Sequence, residues 1–400
     1  MKLLNQKKYS RQNLNILARI DWTLIFILIM LAAISILIIS SAMTSEQYST
    51  NFAQRQLLFY LFGFLIAFIL MLIPFHFYKD YIWGIYAFGI LSLVFLHFSP
   101  FESITPIING AKSWYQFGFF SVQPSEFMKI IYIMALAYVI SQHNKYKIED
   151  DLSLDVKLLG KMAVVSALPM LLVLLQNDLG TTLVMVAIFF GMVLISGISW
   201  WLILPVVFVV TTVGVSLILG ILYRPDLIDK LGVHAYQFDR IYSWLQPEKY
   251  ISNSGFQLMN SLISIGSGGI TGRGYKDGII YIPENHTDFI FTIVGEEFGF
   301  IGTTFVVIVL LSLLLRLFRI SLLTHDSFGG YFIIGFLSLL FFHIFQNIGM
   351  TIQLVPITGL PLPFLSYGGS GLWANMVGIG IVLSIYFYEV SGKKEARFNK

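Results

Sequence analysis

Asp288 is the residue where chemistry is most readily placed. It stands in the stretch Tyr281 to Gly302, YIPENHTDFIFTIVGEEFGFIG, where a polar loop gives way to an apolar run. A helix turning about 100° per residue would bring Asp288, Thr292, Gly295, Gly299 and Gly302 to one face. The expectation is a small-residue groove with a carboxylate at its mouth. Phe289, Ile290, Phe291, Ile293, Phe298 and Phe300 cover its other sides. A carboxylate held where water meets lipid is a candidate proton acceptor. Glu296 and Glu297 fall roughly 12–14 Å further along such a helix and receive no role.

Other candidates gather in segments of similar character. In GAKSWYQFGFFSVQPSEFMKI, residues 110–130, Pro124 suits a first helical turn and Glu126 suits its positive end. Glu126 and Lys129 are spaced to pair on one face. They fit either a capped helix start with a snorkelling Lys or a functional pair, because Lys129 lies a turn inside an apolar span. In QNDLGTT, Asp178 is equally suited to capping a helix and to meeting a ligand. Arg55 reads as an interfacial anchor or a phosphate contact. The glycine-rich GSGGITGRG, 266–274, lacks both the preceding strand and the following Lys-Ser/Thr of a nucleotide loop. A tight turn that returns the chain to the membrane is expected there instead. Tyr236, Tyr242, Trp244, Tyr250, Tyr275 and Tyr281 read as an interfacial belt before sugar-stacking platforms. In TGLPLPFLSYGGSGLWANMVGIG, 358–380, a Pro-kinked turn enters a helix whose glycines, with Ser366 and Ser370, are read as packing positions.

The elements that must position these groups are membrane helices. Of 400 residues, 56% are hydrophobic and 12% charged, about half the charge of a soluble domain. The mean hydropathy is +0.78. The fold class expected is all-α and polytopic, one integral-membrane domain with ten spans. These lie near 22–42, 57–74, 81–99, 124–142, 162–176, 179–197, 200–223, 288–315, 329–350 and 369–389. The run Trp22 to Ala42 is longer than the apolar core of a typical signal peptide and is read as the first span. Basic residues cluster on one side: Lys2, Lys7, Lys8, Arg11 and Arg19, then Lys79, Lys145, Lys147, Lys157 and Lys161. Arg316 and Arg319 follow, with Lys393, Lys394, Arg397 and Lys400 in the tail. The opposite short loops hold Arg55 and Lys112. The positive-inside rule then puts both termini (1–21 and 390–400) in the cytoplasm. Segments 100–123, 351–368 and the large loop 224–287 face outside, and within the last, 255–265 reads as a helix lying in the interface. A net charge of +3 gives no reason to expect nucleic acid. The absence of Cys excludes disulfides, thiolate zinc sites and a Cys nucleophile. Seven scattered His offer no HExxH spacing.

Taken together, GAKSWYQFG…QPSEFMK, QNDLGTT, PENHTDFIF…GEEFGFIG and PITGLPLPFLSYGGSG resemble the SEDS family of shape, elongation, division and sporulation proteins, which includes RodA, FtsW and SpoVE. The resemblance covers all ten spans in order. Asn347-Ile348-Gly349-Met350 and Pro283 to Asp288 look more like the RodA branch. It implies a peptidoglycan glycosyltransferase of the bacterial cytoplasmic membrane, polymerising lipid II into β-1,4-linked glycan at the outer face during cell-wall elongation. The implied partners are a class B penicillin-binding protein that crosslinks the strands and other elongation components. The family's essential acid falls on Asp288, and its other functional polar positions match Arg55, Trp114, Glu126, Lys129 and Asp178. GRGYKDGIIYI departs from the family wording, so Lys276 and Asp277 inherit no role.

That chemistry suits these residues. Inverting an α-linked donor calls for a general base, assigned to Asp288, accepting from the acceptor's GlcNAc 4-OH. The diphosphate leaving group calls for Arg55, Lys129 or a divalent cation. Mg²⁺ or Mn²⁺, held partly by Asp178 or Glu126, is the candidate ion; no organic cofactor is expected. Two rivals remain. One is a lipid II flippase using the same groove. The other is a non-catalytic scaffold for a penicillin-binding protein, in which Asp288 merely caps span 8.

Overall fold

The computed structural model describes residues 19–43, 51–107, 111–118, 120–145, 151–223, 235–250 and 254–390. The expected basic residues before Arg19, Lys147 and those of the tail lie outside this set. The chain is mostly helical: α1 (Trp22–Ala42), α2 (Phe52–Leu72), the short α3 (Phe75–Asp80) and α4 (Ile82–Phe98) come first. Next are α5 (Pro124–Asn144), α6 (Leu152–Leu175), α7 (Leu179–Ile195) and α8 (Trp200–Tyr223). Then come α9 (Ala235–Leu245), α10 (Ser254–Ser267), α11 (Ile290–Leu323), α12 (Ser327–Thr351) and α13 (Gly369–Ile385). Among the described residues seven helices (α1, α2, α5, α6, α11, α12 and α13) are long and apolar enough to cross a membrane, and α4, α7 and part of α8 are shorter apolar helices. Two expected starts move outward. α2 begins at Phe52, where Asn51 Oδ1 caps the Gln54 N–H at 3.1 Å. α6 begins at Leu152, where Asp151 accepts from Ser153 N–H. Capping residues outside the apolar runs lengthen both helices, which hydropathy does not register. The all-α expectation needs one amendment, a small antiparallel hairpin of β1 (Tyr115–Phe117) and β2 (Phe120–Val122).

α5 runs through the middle of the bundle, packed on α4, α6, α12 and α13. It is buried on nearly every side, with Met128, Tyr132, Ile133 and Leu136 fully enclosed. α13 lies along α2. Small residues permit the approach: a Cβ at Gly380 would stand 2.8 Å from Leu70 Cβ, and one at Gly63 2.9 Å from Met376 Cγ. Ion pairs close the end of the bundle where α1 begins and α11 finishes. Arg316 makes a bidentate pair with Asp21 (2.6–3.1 Å), and Asp21 also caps Leu24 N–H. Lys79 pairs with Asp326 at 2.8 Å.

α11 departs from the continuous small-residue face expected of it. Asp288 precedes the helix, and Gly299 adopts φ +60°, ψ −155°, which breaks it. No groove results, because the glycine-rich turn fills the break. Arg273 and Gly274 N–H donate to the Glu296 and Glu297 carbonyls, while Phe300 and Ile301 N–H donate to Gly269 and Ile270, all at 2.9–3.1 Å. Backbone groups freed inside a bilayer must find partners within the protein, and this turn supplies them. It is therefore a docked plug. The two unassigned acids anchor the same region. Glu296 accepts from Ile279 N–H (2.8 Å), Ile280 N–H (3.2 Å) and Ser264 Oγ (2.7 Å), and Glu297 accepts from Ser41. α10 falls where an interfacial helix was expected, but Leu258, Ser261 and Ser264 are buried in the protein. Trp244 also leaves the expected belt, its Nε1 donating to Gln353 O (2.9 Å), whereas Tyr275 stays exposed and meets Ser40.

Candidate active site

A cavity of about 780 Å³ opens at the end of the bundle opposite the Asp21–Arg316 pair. Five helices, α2, α5, α7, α11 and α13, begin around it, and each brings a residue from its first turn or from just before it. Arg55 lies in the first turn of α2, Glu126 in that of α5, and Asp178 caps α7. Asp288 stands two residues before α11, and Gly369 to Trp373 open α13. Helix starts expose unpaired N–H groups and carry the positive end of the helix dipole, so together they favour an anion such as diphosphate. Trp114, at the start of the hairpin, lines the same wall.

Asp288 is hemmed in on most sides while its carboxylate faces the cavity. Among the described residues no donor reaches that carboxylate, whereas its main-chain carbonyl accepts from Asn347 Nδ2 at 2.7 Å. Burial, with Glu284 nearby, raises its pKa to about 6, against the opposing pull of Arg240. Gly359 leaves it room, since a Cβ there would stand 3.2 Å from Asp288 Oδ2. The turn that carries Asp288 is held from the far side: Ser366 Oγ donates to Thr287 O (2.6 Å), and Tyr367 N–H to His286 O (2.9 Å). His286 stacks flat on Phe52, centroids 4.6 Å apart, and burial lowers its pKa, which keeps the ring neutral. Arg55 is exposed and sits beside the Tyr367 hydroxyl; burial raises that phenol's pKa and Arg55 partly offsets the rise.

The remaining expected residues divide. Asp178 is the cap of α7, with Oδ1 accepting from Thr181 N–H and Oδ2 from Gln123 Nε2, both at 2.9 Å. Glu126 reaches the cavity, but Lys129 does not line it. Lys129 is buried behind the wall, with Nζ 2.8 Å from Glu126 Oε1 and 3.2 Å from His343 Nε2. An ammonium only donates, so His343 Nε2 accepts and Nδ1–H faces Pro361 O at 3.3 Å. Lys129 thus neutralises the wall without touching a ligand there.

The FtsW/RodA/SpoVE cell cycle protein family model matches residues 16–390. The chain belongs to this family. It is 34% identical over 378 residues to stage V sporulation protein E of Bacillus subtilis, covering 92% of this chain and 97% of the relative. Peptidoglycan glycosyltransferase MrdB of Escherichia coli K12 is 32% identical over 371 residues, 92% of this chain and 93% of its own length. Peptidoglycan glycosyltransferase RodA of Treponema pallidum is 31% identical over 433 residues, 91% of this chain and 97% of its own length. Among solved structures, a chain of a peptidoglycan synthase complex that coordinates polymerization and crosslinking superposes with TM-score 0.72 at 26% identity, covering 92% of this chain and 97% of that one. Thermus thermophilus RodA superposes with TM-score 0.63 at 26% identity, 92% of this chain and 96% of that one.

Several residues of this family member's cavity escaped sequence reasoning. Arg240, on α9, lines the cavity, and its Nη1 donates to Thr358 O at 3.2 Å. Nothing in its neighbourhood marks it, because α9 meets the 358–361 turn only through folding. Glu284 and His343 line the cavity too. His343 was legible in principle as an imidazole inside an apolar span. Ser366 and Ser370, read as packing positions, are ties: Ser370 Oγ donates to Ser121 O (2.9 Å) and accepts from Gln123 N–H (3.1 Å).

Proposed function

We propose that this chain is a peptidoglycan glycosyltransferase, polymerising a lipid-linked disaccharide-peptide at the outer face of the cytoplasmic membrane with Asp288 as general base. The observation that carries this reading is an Asp288 carboxylate with no hydrogen-bond donor among the described residues, held in a 780 Å³ cavity where five helices begin. The family members named peptidoglycan glycosyltransferase support it. In the reaction the acceptor hydroxyl oxygen attacks the donor's anomeric carbon and its proton passes to Asp288. The bond to the diphosphate breaks, and the electron pair leaves with undecaprenyl diphosphate. Arg55 and Arg240, with the converging helix starts, are placed to meet that developing charge. Trp114 and Glu126 bind the sugar or peptide on the adjoining wall. Asp178, which keeps α7 in register, and Lys129, which holds Glu126, act through neighbours.

The reading extends to ten spans, with α4, α7 and α8 completing the set, both termini in the cytoplasm and 224–287 outside. It also takes in a class B penicillin-binding protein as partner, with lipid II as substrate in cell elongation. The synthase complex among the structural neighbours supports the partner. A divalent cation is a separate proposal. Among the described residues no three carboxylate or imidazole groups gather. Glu126 gives one oxygen to Lys129, and Asp178 uses both of its own. The described residues by themselves therefore offer no formed metal site. Mg²⁺ or Mn²⁺ would reach Glu126 or Asp178 as a single protein ligand alongside the diphosphate oxygens, and would supply charge neutralisation. Glycan synthesis unchanged by EDTA would remove it.

The experiment that tests the function is incubation of the purified chain and its cognate transpeptidase with lipid II. Polymer is expected from the native pair and none from Asp288→Asn. Lipid II moved across a bilayer without polymer would establish the flippase instead. Under the scaffold reading Asp288 would serve as the cap of α11; Phe289 occupies that position, with no side-chain cap bond, so capping does not account for the carboxylate.

A further inference from the structure

α12 carries three buried polar side chains at helical spacing, His343, Gln346 and Asn347, all facing the turn before α13. His343 Nδ1–H points at Pro361 O (3.3 Å), Gln346 Nε2 donates to Pro356 O (2.8 Å), and Asn347 Nδ2 donates to Leu360 O (2.8 Å). A strap of donors thus holds residues 356–361 against the helix. Asn347 reaches further, its second Nδ2 hydrogen going to the Asp288 carbonyl at 2.7 Å. The side chain is wholly enclosed, and its Oδ1 finds no partner among the described residues. A polar amide is costly inside a membrane helix, which makes such a position a candidate for function.

The two carbonyls belong to the two sides of the reaction centre. One is that of Asp288. The other belongs to the segment containing Gly359, whose backbone abuts the Asp288 carboxylate, and Thr358, whose carbonyl accepts from Arg240. We propose that Asn347 is a positioning residue for glycosyl transfer, whose single amide fixes the spacing between Asp288 and the segment that anchors Arg240. The proposal rests on Asp288 being the base. Once the clamp is released, the turn moves away from the 358–361 segment and the carboxylate becomes more fully hydrated. Misplacing a catalytic group by about 1 Å costs on the order of 10²-fold in rate.

The test uses the full chain with its cognate transpeptidase and lipid II. Asn347→Leu keeps the volume and removes both donors, while Asn347→Ser is smaller and reaches at most one carbonyl. For Asn347→Leu, kcat is expected to fall about 10²-fold with KM within about twofold, and Asn347→Ser should lose less. The acid limb of the kcat profile should also move below its native position, toward the ordinary carboxylate range. The groups that set that limb are Glu284 on the same turn and Arg240 of α9. Arg55 of α2, Glu126 of α5, Asp178 of α7 and His343 of α12 share the cavity. A role in packing alone would lower thermal stability and leave kcat and the acid limb of the folded protein in place, and that result overturns the proposal. So does failure of both variants to fold, which would assign Asn347 to the fold. Asp288→Asn measured alongside separates the two readings. Polymer surviving there removes the base itself, whereas polymer lost there but retained at native kcat in both Asn347 variants removes the positioning role alone.

Discussion

Burial that makes Asp288 a better base also makes it a burden on the fold. A carboxylate whose pKa rises to about 6 in the folded protein binds its proton more tightly there than in the unfolded chain. Stability is then greatest below the ordinary carboxylate pKa and falls as pH rises to about 6, after which it is constant. Catalysis runs the other way, because the base must be ionised. Polymerisation is therefore expected to drop as pH falls through about 6, while thermal stability rises over the same range. Asp288→Asn should lower turnover by at least about 10²–10⁴-fold and raise stability at pH 7 by roughly 1–3 kcal/mol. Polymer assays and thermal unfolding of one preparation check both signs, and an Asn variant that is slower but no more stable would contradict the account of the pKa. Lys129 makes the opposite case. It lies 2% exposed beside Glu126, and removing one partner of a buried pair strands the other. Lys129→Met should cost about 3–5 kcal/mol, with Glu126→Gln in the same background restoring part of it. A Lys129→Met protein of native stability would show that the pair contributes nothing.

At the scale of elements, the broken α11 carries the arrangement. Gly299 sits at φ +60°, where a side chain is strained, and a Cβ there would meet the Ile270 carbonyl carbon at 2.7 Å. The helix on one side of the break begins at the Asp288 turn, and on the other it runs to the Arg316 pair. The 268–274 plug and the Glu296 anchor tie that break to the extended segment leading into Asp288. Gly299→Ala is expected to cost on the order of 1–3 kcal/mol or more and to loosen the 270–282 segment. Thermal unfolding measures the first and amide hydrogen exchange the second. Unaltered exchange there would mean that the plug is held by something other than the break.

For the whole molecule, the opposed ends define a direction. Ion pairs Asp21–Arg316 and Lys79–Asp326 close one end, while the cavity opens at the other among helix starts. Because the chain has no Cys, single Cys residues report sidedness without background. Glu284→Cys at the cavity mouth should react with an impermeant maleimide added to intact cells, and Lys157→Cys, exposed near the start of α6, should react only after the membrane is opened. The reverse pattern would invert the proposed topology and place the site on the wrong side for its substrate. The sequence alone determined the membrane class, the approximate helix positions and the segments that meet at the cavity, because hydropathy, caps and Pro–Gly turns are local properties. It also singled out Asp288, Arg55, Glu126 and Asp178, to which the family resemblance added Trp114, and all five line one space. Only tertiary structure decided that Lys129 stands behind the wall, that Arg240 joins it, and that Gly299 breaks its helix to receive residues 268–274. Each of those outcomes depends on which segments pack together, and one-dimensional spacing carries no information about a neighbour that arrives from another part of the chain.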